Sequence, residues 1–222
     1  MDEADAGAVG KRDVRATYDR IADHFARTRE YPWPEIESFL DGRSRVPVAL
    51  DLGCGNGRHA ELLAERADRV VAADASRGVL ATARERAAGR GFDAALAQAD
   101  AARVPLRDST VGLATYVATL HHLPTGAARR ASLDELARVL DSEGRALVSA
   151  WSTAHDRFDR EESFDTSVDW TLPGGETVGR FYHVYAPEDF ETEVEASRLE
   201  LVSFEVSSGN CYATVRGPAS GE

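Results

Sequence analysis

An apolar run, VPVALDL at residues 46–52, leads into DLGCGNG at 51–57, a loop with glycines at alternate positions, and a helical pattern follows at once. A strand that turns into a helix through such a loop must have that helix packed back on its own sheet, which commits the chain to a layered α/β fold. The same alternation then repeats. RHAELLAERA (58–67) has helical period, RVVAAD (69–74) is a strand, and RGVLATARERAAG (77–89) is a helix closed by glycine. AALAQAD (94–100) and TVGLATYVATL (110–120) read as strands, ARRASLDELARVLD (128–141) as a helix and RALVSAW (145–151) as a strand.

Before this core, Val14, Tyr18, Ile21 and Phe25 at helical spacing predict a helix over 11–28, and Pro34 opens a second over 34–41. Residues 1–10 read as frayed. After Trp151 the alternation breaks: residues 152–180 are polar and irregular, with a Pro-Gly-Gly turn at 173–175. A helix follows at 187–197. LELVSFEV (199–206) and CYATVR (211–216), joined by a tight Ser-Gly-Asn turn, predict an antiparallel hairpin. The expectation is a doubly wound, mostly parallel seven-stranded sheet with an antiparallel C-terminal hairpin. One domain over 1–222 comprises a helical cap (1–45), a core (46–151), a covering insertion (152–180) and a C-terminal helix and hairpin (181–222).

The 222 residues suffice for one well-filled core. Acidic residues number 38 against 26 basic ones, for a formal net charge of −12, and Lys11 is the sole lysine. Such a surface fits a salt-adapted cytoplasm or a genome rich in arginine and alanine codons. Its mean field repels phosphates and argues against general nucleic-acid binding. A local basic patch is still available: Lys11, Arg12, Arg15, Arg20, Arg27 and Arg29 cluster near the N-terminus, with Arg43 and Arg45 soon after. The acidic start and the lack of a long apolar run predict a cytoplasmic protein without a membrane span. Cys54 and Cys211 form neither a disulfide framework nor a zinc pattern, and no metal site is expected.

The loop itself narrows the ligand. Gly53, Gly55 and Gly57 are spaced G-x-G-x-G, whereas a dinucleotide fingerprint needs G-x-G-x-x-G, and its third position is Arg58 here. Asp51 would repel a pyrophosphate, and no Gly-Lys-Ser/Thr follows for a nucleotide triphosphate loop. S-adenosylmethionine fits better. It has no phosphate, and its sulfonium and ammonium tolerate or bind an acid at the strand end. Asp74, at the end of the second strand, is placed to accept both ribose hydroxyls. Asp100 ends the third strand and can accept from the adenine amino group, and Ala101 can offer a backbone N–H. Taken singly, Asp74 and Asp100 could be ordinary caps; on successive strand ends beside the loop they make a coherent cofactor site.

At these residues, roughly 46–150, the chain resembles class I S-adenosylmethionine-dependent methyltransferases. A narrower resemblance, to the tRNA wobble-uridine carboxymethyl methyltransferases, rests on YDRIADHFARTREYPWP (18–34), ATLHHLP (118–124), DTSVDW (165–170), RFYHVY (180–185) and GNCYATVR (209–216). Residues 171–179, TLPGGETVG, form a short bridge where eukaryotic members often carry a long insertion.

This resemblance implies an O-methyltransferase that esterifies the carboxylate of 5-carboxymethyluridine in tRNA. A carboxylate needs alignment and exclusion of water rather than a general base. Arg29 and His122, with His121 as the alternative, are the candidates to hold its second oxygen. Trp33, Trp170, Tyr182 and His183 are candidate stacking faces for an extruded base. The resemblance also implies a small zinc-binding activator protein, docked on the uncharged third strand at 94–99 by strand addition. The competing readings are a small-molecule methyltransferase with a quinone- or lipid-like acceptor, and a non-catalytic binding scaffold of the same fold.

Overall fold

The computed structural model describes residues 9–218. Most of the frayed start read at 1–10 lies outside the described residues. Helix α1 (Lys11–Arg27) begins where the Asp13 carboxylate accepts the Gly10 N–H at 2.8 Å, and Pro34 opens α2 (Pro34–Leu40). The core follows as β1 (Val46–Leu52), α3 (Arg58–Ala64), β2 (Ala67–Asp74), α4 (Arg77–Arg90), β3 (Ala95–Gln98), β4 (Val111–Tyr116), α5 (Gly126–Val139) and β5 (Leu140–Trp151). The chain then forms β6 (Phe164–Thr171), β7 (Thr177–Val184), α6 (Pro187–Glu195), β8 (Glu200–Ser207) and β9 (Asn210–Arg216).

Seven strands make one sheet in the order β3-β2-β1-β4-β5-β9-β8. The pairs among the first five are parallel; β9 runs antiparallel to β5, and β8 to β9. This is the expected topology, with the C-terminal hairpin inserted so that β9 lies inside the sheet and β8 at its edge. Alternation along β1 and β2 splits the core. Leu50 and Val71 face a layer with Leu133 and Leu136 of α5 and Phe190 of α6; Ala49 and Val70 face Ile36, Leu63 and Leu80 of α2, α3 and α4. The sheet order reverses between β1 and β4, so the carboxyl end of β1 opens into the crevice where open α/β sheets bind ligands.

Two expectations need correction. Residues 152–180 are not all irregular: β6 and β7 pair antiparallel from Phe164↔Val184 to Thr171↔Thr177 in a separate two-stranded sheet. Val168 and Trp170, and Val178, Arg180, Tyr182 and Val184, occupy its buried positions. Polar residues on the other face gave the segment its loop-like composition. The predicted fourth strand (110–120) stops at Tyr116. Ala118 adopts a left-handed backbone (φ +51°) and Leu120–His122 close a 3-10 turn, which turns both histidines into the crevice. Among the described residues no helix is long and apolar enough to cross a membrane.

Candidate active site

The crevice is a cavity of about 580 Å³ lined from the carboxyl ends of β1, β2, β3, β4 and β5, from α1, and from β7. Its floor is the glycine loop. At Gly53 the backbone is left-handed (φ +70°), and a Cβ there would lie 2.2 Å from the Thr119 side chain. Only glycine fits this approach. The loop is tied to β2 by the Gly53 N–H and Cys54 N–H, both donating to the Ala73 carbonyl at 2.7 and 3.0 Å.

Asp74 stands at the mouth of this loop and accepts N–H bonds from Gly55 (3.0 Å) and Ser76 (2.9 Å). Burial nonetheless raises its pKa to about 6. Asp51 lies behind the loop rather than on the cavity wall. One of its oxygens accepts from Thr115 Oγ1 at 2.9 Å, the other is buried without a partner, and burial lifts its pKa to about 7. Asp100, at the far end of the cavity, pairs with Lys11 Nζ at 2.9 Å and accepts the Ala102 N–H at 2.9 Å.

Gly53, Gly55, Asp74, Asp100 and Ala101 therefore line one cavity, as do Arg29, Trp33, His121, His122 and Tyr182. Gly57, Trp170 and His183 do not. Gly57 faces Ala83 of α4 as the left-handed cap of α3. Trp170 is packed behind the wall, where its Nε1–H donates to His24 Nδ1 at 3.0 Å. His183 follows Tyr182 in β7, so strand alternation turns it to the other face, where it pairs with Asp165 at 2.6 Å.

His122 differs from its expected role. Its Nδ1 lies 2.8 Å from the Phe181 carbonyl, which can only accept, so Nδ1 carries the proton. Burial drives its pKa down to about 3, so the ring is neutral and Nε2 accepts from the Tyr18 hydroxyl at 2.6 Å. His121 is likewise neutral: burial lowers its pKa well below the usual value, and Nδ1 accepts the Trp151 N–H at 2.8 Å. Neither ring offers a positive charge. His122 fixes the hydroxyl of Tyr18.

The positive charge comes instead from a residue not singled out in the sequence. Arg180 of β7 is only 6% exposed and lines the cavity. Its guanidinium lies 4.6 Å from the Trp170 ring centre and 5.2 Å from that of Tyr182 and adjoins the Tyr18 hydroxyl, yet Nε has no partner. Among the described residues no carboxylate pairs with it. The signal was present: in TVGRFYHV an arginine occupies one of four alternating positions that are otherwise apolar or aromatic. Arg29 also reaches the cavity, with its guanidinium 5.7 and 5.5 Å from the Phe25 and Trp170 ring centres. Asn56 Nδ2 pins that segment by donating to the Ala26 and Arg29 carbonyls at 3.2 and 2.8 Å.

The core and the fold find their counterpart among known proteins. Residues 50–148 match the family described as a methyltransferase domain. A tRNA (carboxymethyluridine(34)-5-O)-methyltransferase of Xenopus tropicalis is 30% identical over 86% of this chain, which spans only 29% of that protein's length. A protein of Encephalitozoon cuniculi named as a methyltransferase is 31% identical over 83% of this chain and 85% of its own length. The solved DhpI–SAM–HEP complex superposes with a TM-score of 0.73 at 22% identity, covering 95% of this chain and all of that one. The chain belongs to the class I methyltransferases and is an enzyme that uses S-adenosylmethionine as its methyl donor.

Proposed function

We propose that this methyltransferase esterifies the carboxylate of 5-carboxymethyluridine at the wobble position of tRNA. One observation supports a carboxylate acceptor above others: the buried, ion-pair-free guanidinium of Arg180 in the cavity wall. Burying a charge without a counter-ion costs several kcal/mol. Keeping it is physically reasonable where an anion arrives to pair with it. The name of the Xenopus tropicalis relative supplies the rest of the reading, tRNA and the wobble nucleoside.

The residues divide the work accordingly. When bound, S-adenosylmethionine supplies an electrophilic methyl group on a sulfonium. The fit is favourable: the close approach at Gly53 leaves bare backbone at the cavity floor, and Asp74 presents a carboxylate held on loop N–H groups for the ribose hydroxyls. Asp100 takes the adenine amino group. Arg180 holds one oxygen of the acceptor carboxylate by charge-assisted hydrogen bonding and leaves the other for attack. Arg29 adds positive potential. His122 is a positioning residue that orients Tyr18 beside Arg180. Since a carboxylate is nucleophilic at neutral pH, no residue has to remove a proton, which agrees with two neutral histidines. Tyr182 and Trp33 offer faces for the base.

In the same reading the enzyme works in the cytoplasm with a small zinc-binding activator. The activator adds a strand along β3, the four-residue edge that among the described residues pairs only with β2. The test is methylation of tRNA carrying 5-carboxymethyluridine against the same tRNA with plain uridine, each with the activator present, read by nucleoside mass spectrometry. Ester on the first substrate alone is the expected result. Equal methylation of both, or of neither, overturns the reading.

A further inference from the structure

A second cavity, of about 550 Å³ and open to solvent, adjoins the first. Arg29, Trp33 and Arg58 form the wall common to both, and Arg27 and Tyr31 complete the outer side. Three arginines converge here in a chain of net charge −12. Arg58 is only 8% exposed; its guanidinium lies 5.1 Å from the Trp33 ring centre and donates to the Tyr31 carbonyl at 3.1 Å. Neither Arg27 nor Arg58 has a carboxylate partner among the described residues. The one acid in the wall, Glu30, is engaged by Arg90 at 3.1 Å. Burial first, and then repulsion by Arg29, lowers the Arg58 pKa to about 10. The Arg29 guanidinium thus disfavours the charge on Arg58, and the Asp51 carboxylate offsets this only in part. Tyr31 is 73% exposed, the most exposed large side chain with a ring or branched apolar body among the described residues. An aromatic face left in water beside unpaired guanidiniums matches a base stacked next to its phosphodiester.

We infer that this vestibule is the RNA-backbone subsite of the enzyme: Arg27 and Arg58 take a phosphate flanking the acceptor nucleoside, Tyr31 stacks on the neighbouring base, and the shared wall leads the acceptor into the main cavity. The inference rests on the tRNA reading and specifies where the RNA enters. Backbone contacts of this kind position the strand and carry no sequence information. They also reconcile an acidic molecule with a polyanionic substrate, because the favourable field is confined to one mouth.

The test uses a synthetic anticodon stem-loop bearing 5-carboxymethyluridine, with the activator present throughout, and wild type, Arg27→Ala and Tyr31→Ala. Affinity is read by fluorescence anisotropy over a salt series, methyl transfer by KM and kcat, and cofactor affinity by calorimetry. For Arg27→Ala the slope of log affinity against log salt should fall by about 1. Tyr31→Ala should lose about 10-fold in affinity with its slope unchanged, since stacking is not a counterion effect. Both should raise KM, leave kcat near wild type and bind the cofactor normally. If wild type methylates the stem-loop while both variants bind it with wild-type affinity and slope, the vestibule is overturned and the substrate reading stands. If affinity falls as expected but wild type transfers no methyl to this RNA, the vestibule stands and the acceptor assignment is overturned.

Discussion

Arg180 shows how one side chain can serve function against stability. It replaces a hydrophobe in the buried series Val178, Tyr182 and Val184 of β7, and its charge is uncompensated until an anion enters. Arg180→Met should therefore act in opposite directions on two readouts. Transfer to a carboxylate acceptor should drop about 10- to 100-fold, from the loss of a charged hydrogen bond of about 1.5–3 kcal/mol. The folded state should gain, since replacing buried charge by packed apolar groups is neutral or stabilising by about 1–4 kcal/mol. Scanning calorimetry and a single-turnover assay check both; a lower melting temperature in Arg180→Met would mean that the charge is already balanced. Arg180→Lys keeps the charge but not the planar fork, and should recover only part of the rate.

Among the elements, α1 roofs the cavity and packs against α4 and β7. Asp19 reaches from α1 to the start of α4, where one carboxylate oxygen accepts from Ser76 Oγ at 2.6 Å and the Gly78 N–H at 2.9 Å. A Cβ at Gly78 would sit 2.9 Å from both Ala22 Cβ and the Asp19 carbonyl, so the helices cross with almost no clearance. Lys11 and Tyr18 come from the same helix into the site. Asp19→Ala removes two hydrogen bonds worth about 0.5–1.5 kcal/mol each. Cofactor affinity should weaken roughly 10-fold, with faster hydrogen exchange along α1; unchanged calorimetric affinity would show that α1 stays docked without this tie. Helix α1 was legible because its apolar positions recur within the helix. The β6–β7 sheet was not, although Val168 and Trp170 alternate with Ser167 and Asp169 around the Pro-Gly-Gly turn. Its polar outer face dominated the composition, and only packing against Ile21 of α1 made the inner face count.

Over the whole molecule, two buried carboxylates near the loop tie stability and ligand affinity to pH in opposite senses. Asp51 titrates near 7 and Asp74 near 6 in the fold, against an ordinary 3.8. Between about pH 4 and pH 7 the native state holds protons that the unfolded chain has released, so stability falls as pH rises through that window and then levels. The cofactor's cationic and hydroxyl groups favour the ionised carboxylates, so its affinity should rise with pH over the same window. Calorimetric titrations and melts from pH 5 to 8 read both trends. Asp51→Asn should flatten the stability fall; a slope that persists unchanged would assign it to other groups.

The sequence by itself determined the order of strands and helices across the core at 46–151, the glycine loop, the placement of Asp74 and Asp100 at strand ends, and the C-terminal hairpin. These follow from periods of two and 3.6 residues and from turn chemistry, all local properties of the chain. Tertiary structure decided what each side chain meets. Strand parity put Tyr182 in the cavity and turned His183 out. The Phe181 carbonyl fixed the tautomer of His122, and the lack of a carboxylate partner for Arg180 among the described residues left that charge open. Charge pairing and desolvation depend on neighbours dozens of residues away in sequence, so the identity of the cation facing the acceptor emerged only once α1, β7 and the 3-10 turn had been brought together.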